Sequence, residues 1–144
     1  MSDSVDRSIL FYSEGIDFTI QSEDEVKQWL QIIVKQEEKE LDYVNYIFLT
    51  DEALLLKNKE FLNHDYYTDI ISFQMEQHPI AGDIFISIDR VKENANTYGI
   101  SFMSELLRVI SHGMLHFIGF GDKTEEEIKE MRAKEDYYLK LYLK

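Results

Sequence analysis

His112 and His116 stand four residues apart, Gly119 follows three residues after the second, and Asp122 three after that. Residues i and i+4 share one helical face about one turn apart. Two imidazoles stacked in this way can grip one tetrahedral cation. The third ligand must come from outside the helix, because the next turn runs along the axis and not across to the ion. Gly119 suits that need, since glycine can end a helix with positive φ and fold the chain back. Asp122 then arrives with a hard carboxylate. Three protein ligands with a fourth position open describe a catalytic metal site, not a structural one. A single buried histidine is usually a hydrogen-bonded core residue, but a pair with Gly and Asp at these offsets is less easily explained that way. The residue directly after the first His, where helical zinc proteases carry their glutamate base, is Gly113. A peptidase working by that mechanism is therefore not expected. A mid-helix glycine costs about 1 kcal/mol against alanine, so a neighbouring backbone, a substrate or close packing needs the room.

The histidines sit in SELLRVISHGMLHFIG, which is apolar on almost every side except the stripe Ser104, Arg108, His112 and His116. That is the pattern of a buried central helix. Around it, ILFYSEGIDFTI reads as two short extended pieces about a glycine, a strand or a hairpin. SEDEVKQWLQIIVKQEEKE is an amphipathic helix, with Val26, Trp29, Leu30, Ile33 and Val34 at helical spacing. VNYIFLT is a strand and DEALLLKNKEFLN a helix starting near Asp51. HDYYTD is a loop, IISFQM a short strand, HPIAG a turn, and DIFISID a strand with Ile84, Ile86 and Ile88 alternating. DRVKENANTYG is helical and stops at Gly99. KTEEEIKEMRAKEDYYLKLYLK is a long final helix capped by Thr124, with Glu125, Glu126 and Glu127 in its first turn. The expected fold is α+β and zincin-like. A small mixed sheet of three or four strands packs with four or five helices around the histidine-bearing central helix.

The 144 residues fit one domain, 1–144, with a single substantial core. Cysteine is absent, so any metal must sit on His, Asp or Glu. No basic start followed by an apolar run and no span of membrane length is present, so a soluble cytoplasmic protein is the expectation. The net charge of −13 disfavours non-specific binding to nucleic acid or to anionic membrane. A bound cation or a local basic rim can still reverse the field at one site.

HGMLHFIGFGD (112–122) resembles the H-G-x-L-H-x-x-G-Y-D-H signature of the YbeY family, metal-dependent endoribonucleases of bacterial rRNA maturation. YTDIISF (67–73) is similar to that family's P-T-D-V-L-S-F, and AGDIFIS (81–87) to its L-G-D-I-V-I-S. Glu105, seven residues before His112, matches a family glutamate. The resemblance implies one divalent metal ion per chain, with zinc expected, on His112, His116 and Asp122. Asp122 falls where the family has a third histidine. It further implies a single-strand-specific endoribonuclease that uses a metal-activated water on a phosphodiester, in 16S rRNA 3′-end maturation and ribosome quality control. Its partners would be rRNA precursors or other single-stranded RNA, and small-subunit ribosomal proteins.

Leu62 stands where the family has an arginine, which puts a phosphate clamp at that position in doubt. Lys57, Lys59 or Arg108 are the candidate substitutes, although Arg108 is expected to pair with Glu105 or Ser104 on its own helix. Asp69 either lines the metal pocket or forms an Asx turn. Asp83 reads as a turn residue, His64 and His78 as solvated loop residues, and Tyr137, Tyr138 and Tyr142 as packing residues. No general base is identifiable. Two rival functions are a metallohydrolase of peptides or small amides, and a non-catalytic ribosome-assembly factor whose metal clamps the C-terminal loop. A set of two histidines and one carboxylate also occurs in non-haem iron oxygenases, but nothing else points to a cosubstrate pocket.

Overall fold

The computed structural model describes residues 8–142. In chain order the elements are β1 (Ile9–Ser13), α1 (Glu23–Gln36), β2 (Leu41–Leu49), α2 (Asp51–Leu62), β3 (Ile70–Gln77), β4 (Ile80–Ser87), α3 (Ile88–Tyr98), α4 (Phe102–Ile118) and α5 (Glu125–Tyr142). The four strands lie in the order β1-β2-β4-β3. β1, β2 and β4 run parallel, and β3 pairs antiparallel with β4. The sheet is therefore mixed, as expected, with five helices around it.

Alternation along the strands sends side chains to two cores. Val44, Tyr46, Phe48, Ile84 and Ile86 face the main core, which they share with α1, α3, α4 and α5. Leu49 and Ile71, with Ile47, Phe73 and Phe85 beside them, face a small core closed by Leu54 of α2. α2 thus lies on the opposite face of the sheet from α4. Each fully buried Leu, Ile or Phe contributes roughly 1.5–3 kcal/mol, and α4 buries Leu106, Leu107, Ile110, Met114, Leu115 and Phe117 almost completely. Three long-range hydrogen bonds fix its neighbours. The Tyr46 hydroxyl donates to Ile110 O at 2.9 Å, the Gln74 amide to Phe117 O at 2.8 Å, and the Trp29 indole to Tyr138 O at 2.7 Å.

Several local expectations give way to tertiary structure. In ILFYSEGIDFTI only Ile9–Ser13 is a strand. Residues 17–20 run without regular structure because Ile20 is buried in the core and Phe18 packs edge-on against Phe48. The turn in HPIAG is only His78-Pro79, and Ile80 already pairs with Leu41 and Gln77. Ile88 opens α3 and does not end a strand, since the Ser87 side chain accepts from the Arg90 N–H at 3.1 Å and caps that helix. Asp83 is no turn residue. It sits within β4, where its carboxylate accepts from the Asn45 side chain at 3.0 Å.

Candidate metal centre

α4 begins at a Ser101 cap, whose hydroxyl oxygen accepts from the Ser104 N–H at 3.0 Å, and it stops at Gly119. Gly119 has φ +129 and its N–H reaches the carbonyls of Leu115 and His116 at 3.1 Å. The chain then folds back, and Asp122 Oδ2 comes to 3.1 Å from His116 Nε2 and 3.3 Å from His112 Nε2. One ligand atom from each of the three residues lies within 4.8 Å of the other two. Zinc–ligand bonds of about 2.1 Å at tetrahedral angles put neighbouring ligand atoms about 3.4 Å apart. The two Asp122 distances match that edge, so the donor set fits a divalent cation.

The loop that carries Asp122 is tied to α5 by a capping box. The Glu127 carboxylate accepts from the backbone N–H of Lys123 at 3.0 Å and of Thr124 at 3.1 Å, while the Glu127 N–H donates to the Thr124 hydroxyl at 3.1 Å. The Thr124 cap is thus present, and Glu127 does more than sit in a charged first turn. Gly121 leaves room for the box, since a Cβ there would stand 2.8 Å from the Glu127 carboxylate and that side chain would have to shift. The backbone amides of Thr124 and Lys123 hold the Glu127 carboxyl below its ordinary value.

Glu135 is the residue the sequence reading missed. It lies in the charged run AKEDYY, yet it is 4 % exposed and points inward from α5. Its Oε2 is 2.7 Å from His112 Nδ1. A carboxylate can only accept, so Nδ1 carries the proton toward Glu135, which leaves Nε2 as the nitrogen that could offer a lone pair to a cation. Its Oε1 accepts from Arg108 Nη1 at 2.8 Å, and Arg108 Nη2 donates to Asp136 at 2.8 Å. Arg108 therefore pairs across to α5 and not with Glu105 or Ser104 on its own helix. Burial pushes the His112 pKa down, but the Glu135 hydrogen bond and the charges of Glu135, Asp122 and Asp69 outweigh it and leave it raised. Burial likewise pushes Asp122 up, and the two histidines overcome it and hold it low. The protein thus concentrates negative charge on the imidazole pair, and a cation can satisfy that charge in place of protons.

A cavity of about 480 Å³ opens in front of these ligands. Asp69 and Glu105 line it. Asp69 is placed by its carbonyl, which accepts from Ser87 N–H at 2.9 Å, and by the preceding loop. In that loop the Tyr67 hydroxyl donates to Glu52 at 2.7 Å and the Tyr66 carbonyl accepts from the Asn58 side chain at 2.8 Å. Burial raises the Asp69 carboxyl, opposed by its own backbone N–H, and of the two readings the pocket-lining one is where Asp69 is found. Glu105 is 4 % exposed, and its Oε1 has no hydrogen-bond partner among the described residues. Burial, and then the charge of Asp69, raise its pKa.

The remaining sequence candidates lie elsewhere. Lys57 and Lys59 are on α2, across the sheet, where they pair loosely with Glu14 and Asp65 at 3.9 and 3.4 Å. Leu62 ends the same helix. His64 is exposed and meets the Tyr66 hydroxyl at 2.9 Å, and His78 is exposed in the hairpin turn. Tyr138 is buried, Tyr142 packs edge-on against Trp29, and Tyr137 is more than half exposed. Gly113 answers its own question. A Cβ there would meet Ile84 Cδ1 at 2.9 Å and Ile70 Cδ1 at 3.1 Å, so the glycine lets α4 settle onto the sheet and faces no substrate.

Comparison with known proteins shows the family. The family model described as "Endoribonuclease YbeY" matches residues 10–142. The chain belongs to this family. Curated relatives named Endoribonuclease YbeY include one from Cytophaga hutchinsonii, 46 % identical over 94 % of this chain and 96 % of its own length. Another, from Christiangramia forsetii, is 44 % identical over 93 % and 94 %. A Thermotoga maritima protein solved in solution superposes with a TM-score of 0.67 at 29 % identity, covering 93 % of this chain and 88 % of its own. The family membership thus rests on nearly the whole chain, beyond the blocks around residues 67–87 and 105–122.

Proposed function

We propose that this protein is a metal-dependent endoribonuclease that cuts single-stranded stretches of rRNA precursors. The observation that carries the reading is the convergence of His112, His116 and Asp122 at the head of an open cavity in a member of an endoribonuclease family. Zinc is the proposed ion, since two imidazoles and one carboxylate with an open position are a zinc donor set. Bound there, the cation would supply Lewis acidity, lowering the pKa of a water and drawing charge from a phosphoryl oxygen.

The chain's own residues do the rest. Glu135 holds the His112 ring so that Nε2 faces the site. Arg108 offsets the Glu135 charge and keeps that carboxylate in place. Glu105 and Asp69, both pushed toward their neutral forms, are the acids in the cavity able to hold a proton for a leaving oxygen. No helix among the described residues is long and apolar enough to cross a membrane. The cytoplasm, where rRNA precursors are made, is the proposed setting, with small-subunit ribosomal proteins as partners.

The test is cleavage of unstructured RNA by wild type and His116→Ala, before and after complete chelation. Wild-type cleavage that is lost on chelation, returns with zinc and is missing in His116→Ala supports the reading. Activity that survives complete chelation, or equal activity in both proteins, contradicts it.

A further inference from the structure

A cavity that receives a polyanion needs a free cation, yet this one is lined by four carboxylates, Asp69, Glu105, Asp122 and Glu135, and two arginines. Arg108 is committed. Its two terminal nitrogens are held by Glu135 and Asp136 at 2.8 Å each. Arg132 is different. Its nearest carboxylate oxygen, Glu135 Oε1, is 3.8 Å away, beyond hydrogen-bond range, and Glu135 already serves Arg108 and His112. The Arg132 side chain is 62 % exposed. It is therefore the lining cation among the described residues that can turn toward a phosphate without breaking a hydrogen bond.

The same cavity is lined from α3 by Tyr98, the last residue of that helix. Tyr98 is 63 % exposed, and its ring packs on no other aromatic ring among the described residues. Asn94, one helical turn earlier on the same face, also lines the cavity and offers both a donor and an acceptor. An open aromatic face and an uncommitted guanidinium are the two groups that unpaired nucleic acid uses. Any base can stack on the ring and any phosphate can meet the cation. Bases inside a duplex are already stacked and paired, and would have to leave the helix to reach the ring.

We propose that Tyr98 and Arg132 form a nucleotide subsite at the mouth of the cavity, with an unpaired base stacked on Tyr98 and a neighbouring phosphate held by Arg132. This subsite selects single strands and feeds the backbone to the metal end. It rests on the endoribonuclease reading above and names the groups that would recognise its substrate. Both side chains are exposed, so replacing them leaves the fold intact.

The experiment is fluorescence anisotropy with the full-length protein as purified and a labelled, cleavage-resistant phosphorothioate RNA, single-stranded in one arm and annealed to its complement in the other. Wild type is expected to bind the single strand more tightly than the duplex. Tyr98→Ala should weaken single-strand binding about tenfold, while Tyr98→Phe, which keeps the ring, stays within about twofold. Arg132→Gln should weaken binding and reduce the slope of log affinity against log salt by about 1, whereas Lys35→Gln, on α1 away from the cavity, leaves affinity and slope unchanged. Wild-type affinity in Tyr98→Ala or Arg132→Gln, with wild type still binding the single strand, overturns the subsite and spares the endoribonuclease reading. Absence of RNA binding by wild type overturns both.

Discussion

At the metal end of the cavity, Glu135 fixes His112, Arg108 fixes Glu135, and Asp136 fixes Arg108, through contacts of 2.7–2.8 Å. At the mouth, Tyr98 and Arg132 are more than half exposed, and the nearest charged contact of Arg132 is 3.8 Å long. The contrast follows from what each end must do. Ligand atoms have to meet bond-length tolerances of a few tenths of an ångström, which only interlocked side chains provide. A flexible strand is received better by groups that can adjust to it. Order thus rises along the cavity toward the place where the chemistry would occur.

Removing the keystone of the ordered end should have the largest effect. Glu135→Ala strips the partner from both Arg108 and His112 Nδ1, and leaves the largely buried arginine short of a counter-charge. Stability should fall by about 3 kcal/mol in urea unfolding, and metal affinity by about 10- to 100-fold in a competitive chelator titration. A fall in stability with no change in metal affinity would separate the carboxylate from the metal end.

Gly113→Ala comes next and tests how tightly that end is seated on the sheet. Alanine gains about 1 kcal/mol of helix propensity, but its Cβ would press on Ile84 and Ile70 at 2.9 and 3.1 Å. Overpacking of this kind costs about 1–3 kcal/mol. A net loss of about 1 kcal/mol is expected in thermal or urea unfolding, and a net gain would mean the isoleucines yield freely.

Smaller still is a pH effect at the capping box that follows Asp122. The amides of Thr124 and Lys123 hold the Glu127 carboxyl below its ordinary value. The folded pKa is lower than the unfolded one, so the contribution is fully present above the ordinary glutamate range and is lost as pH falls through the depressed value. Unfolding of wild type and Glu127→Gln, followed from neutral to acid pH, should differ at neutrality and converge on acidification. A difference that grows toward acid pH would reverse the sign.

The smallest effect belongs to the mouth. Tyr98→Ala and Arg132→Gln should change stability by no more than about 0.5 kcal/mol and leave metal content unchanged. A larger loss in either would mean that the mouth is structural.

The candidate ligand set was readable because it is local. His112, His116, Gly119 and Asp122 lie within one helix end and one turn, and the Thr124 cap lies just beyond. The helices and the alternating strands were legible for the same reason. What escaped depends on partners distant in sequence. Arg108 looked as if it would find Glu105 or Ser104 because those are its near neighbours, but its partners are 27 and 28 residues away. Asp83 looked like a turn residue beside Gly82 until β2 brought Asn45 alongside it. Glu135 was hidden in a charged run, although one signal was there. Met131, Glu135 and Tyr138 fall on one helical face, and an acid on a stripe that is otherwise buried calls for a buried partner.

The central claim is that His112, His116 and Asp122 hold a metal ion. Its most direct test is metal content per chain, by elemental mass spectrometry, in wild type and Asp122→Ala purified without added metal or a histidine tag. Near one equivalent of zinc in wild type, with a clear reduction in the variant, is the predicted result. No metal in wild type, even after reconstitution with zinc, would contradict the account.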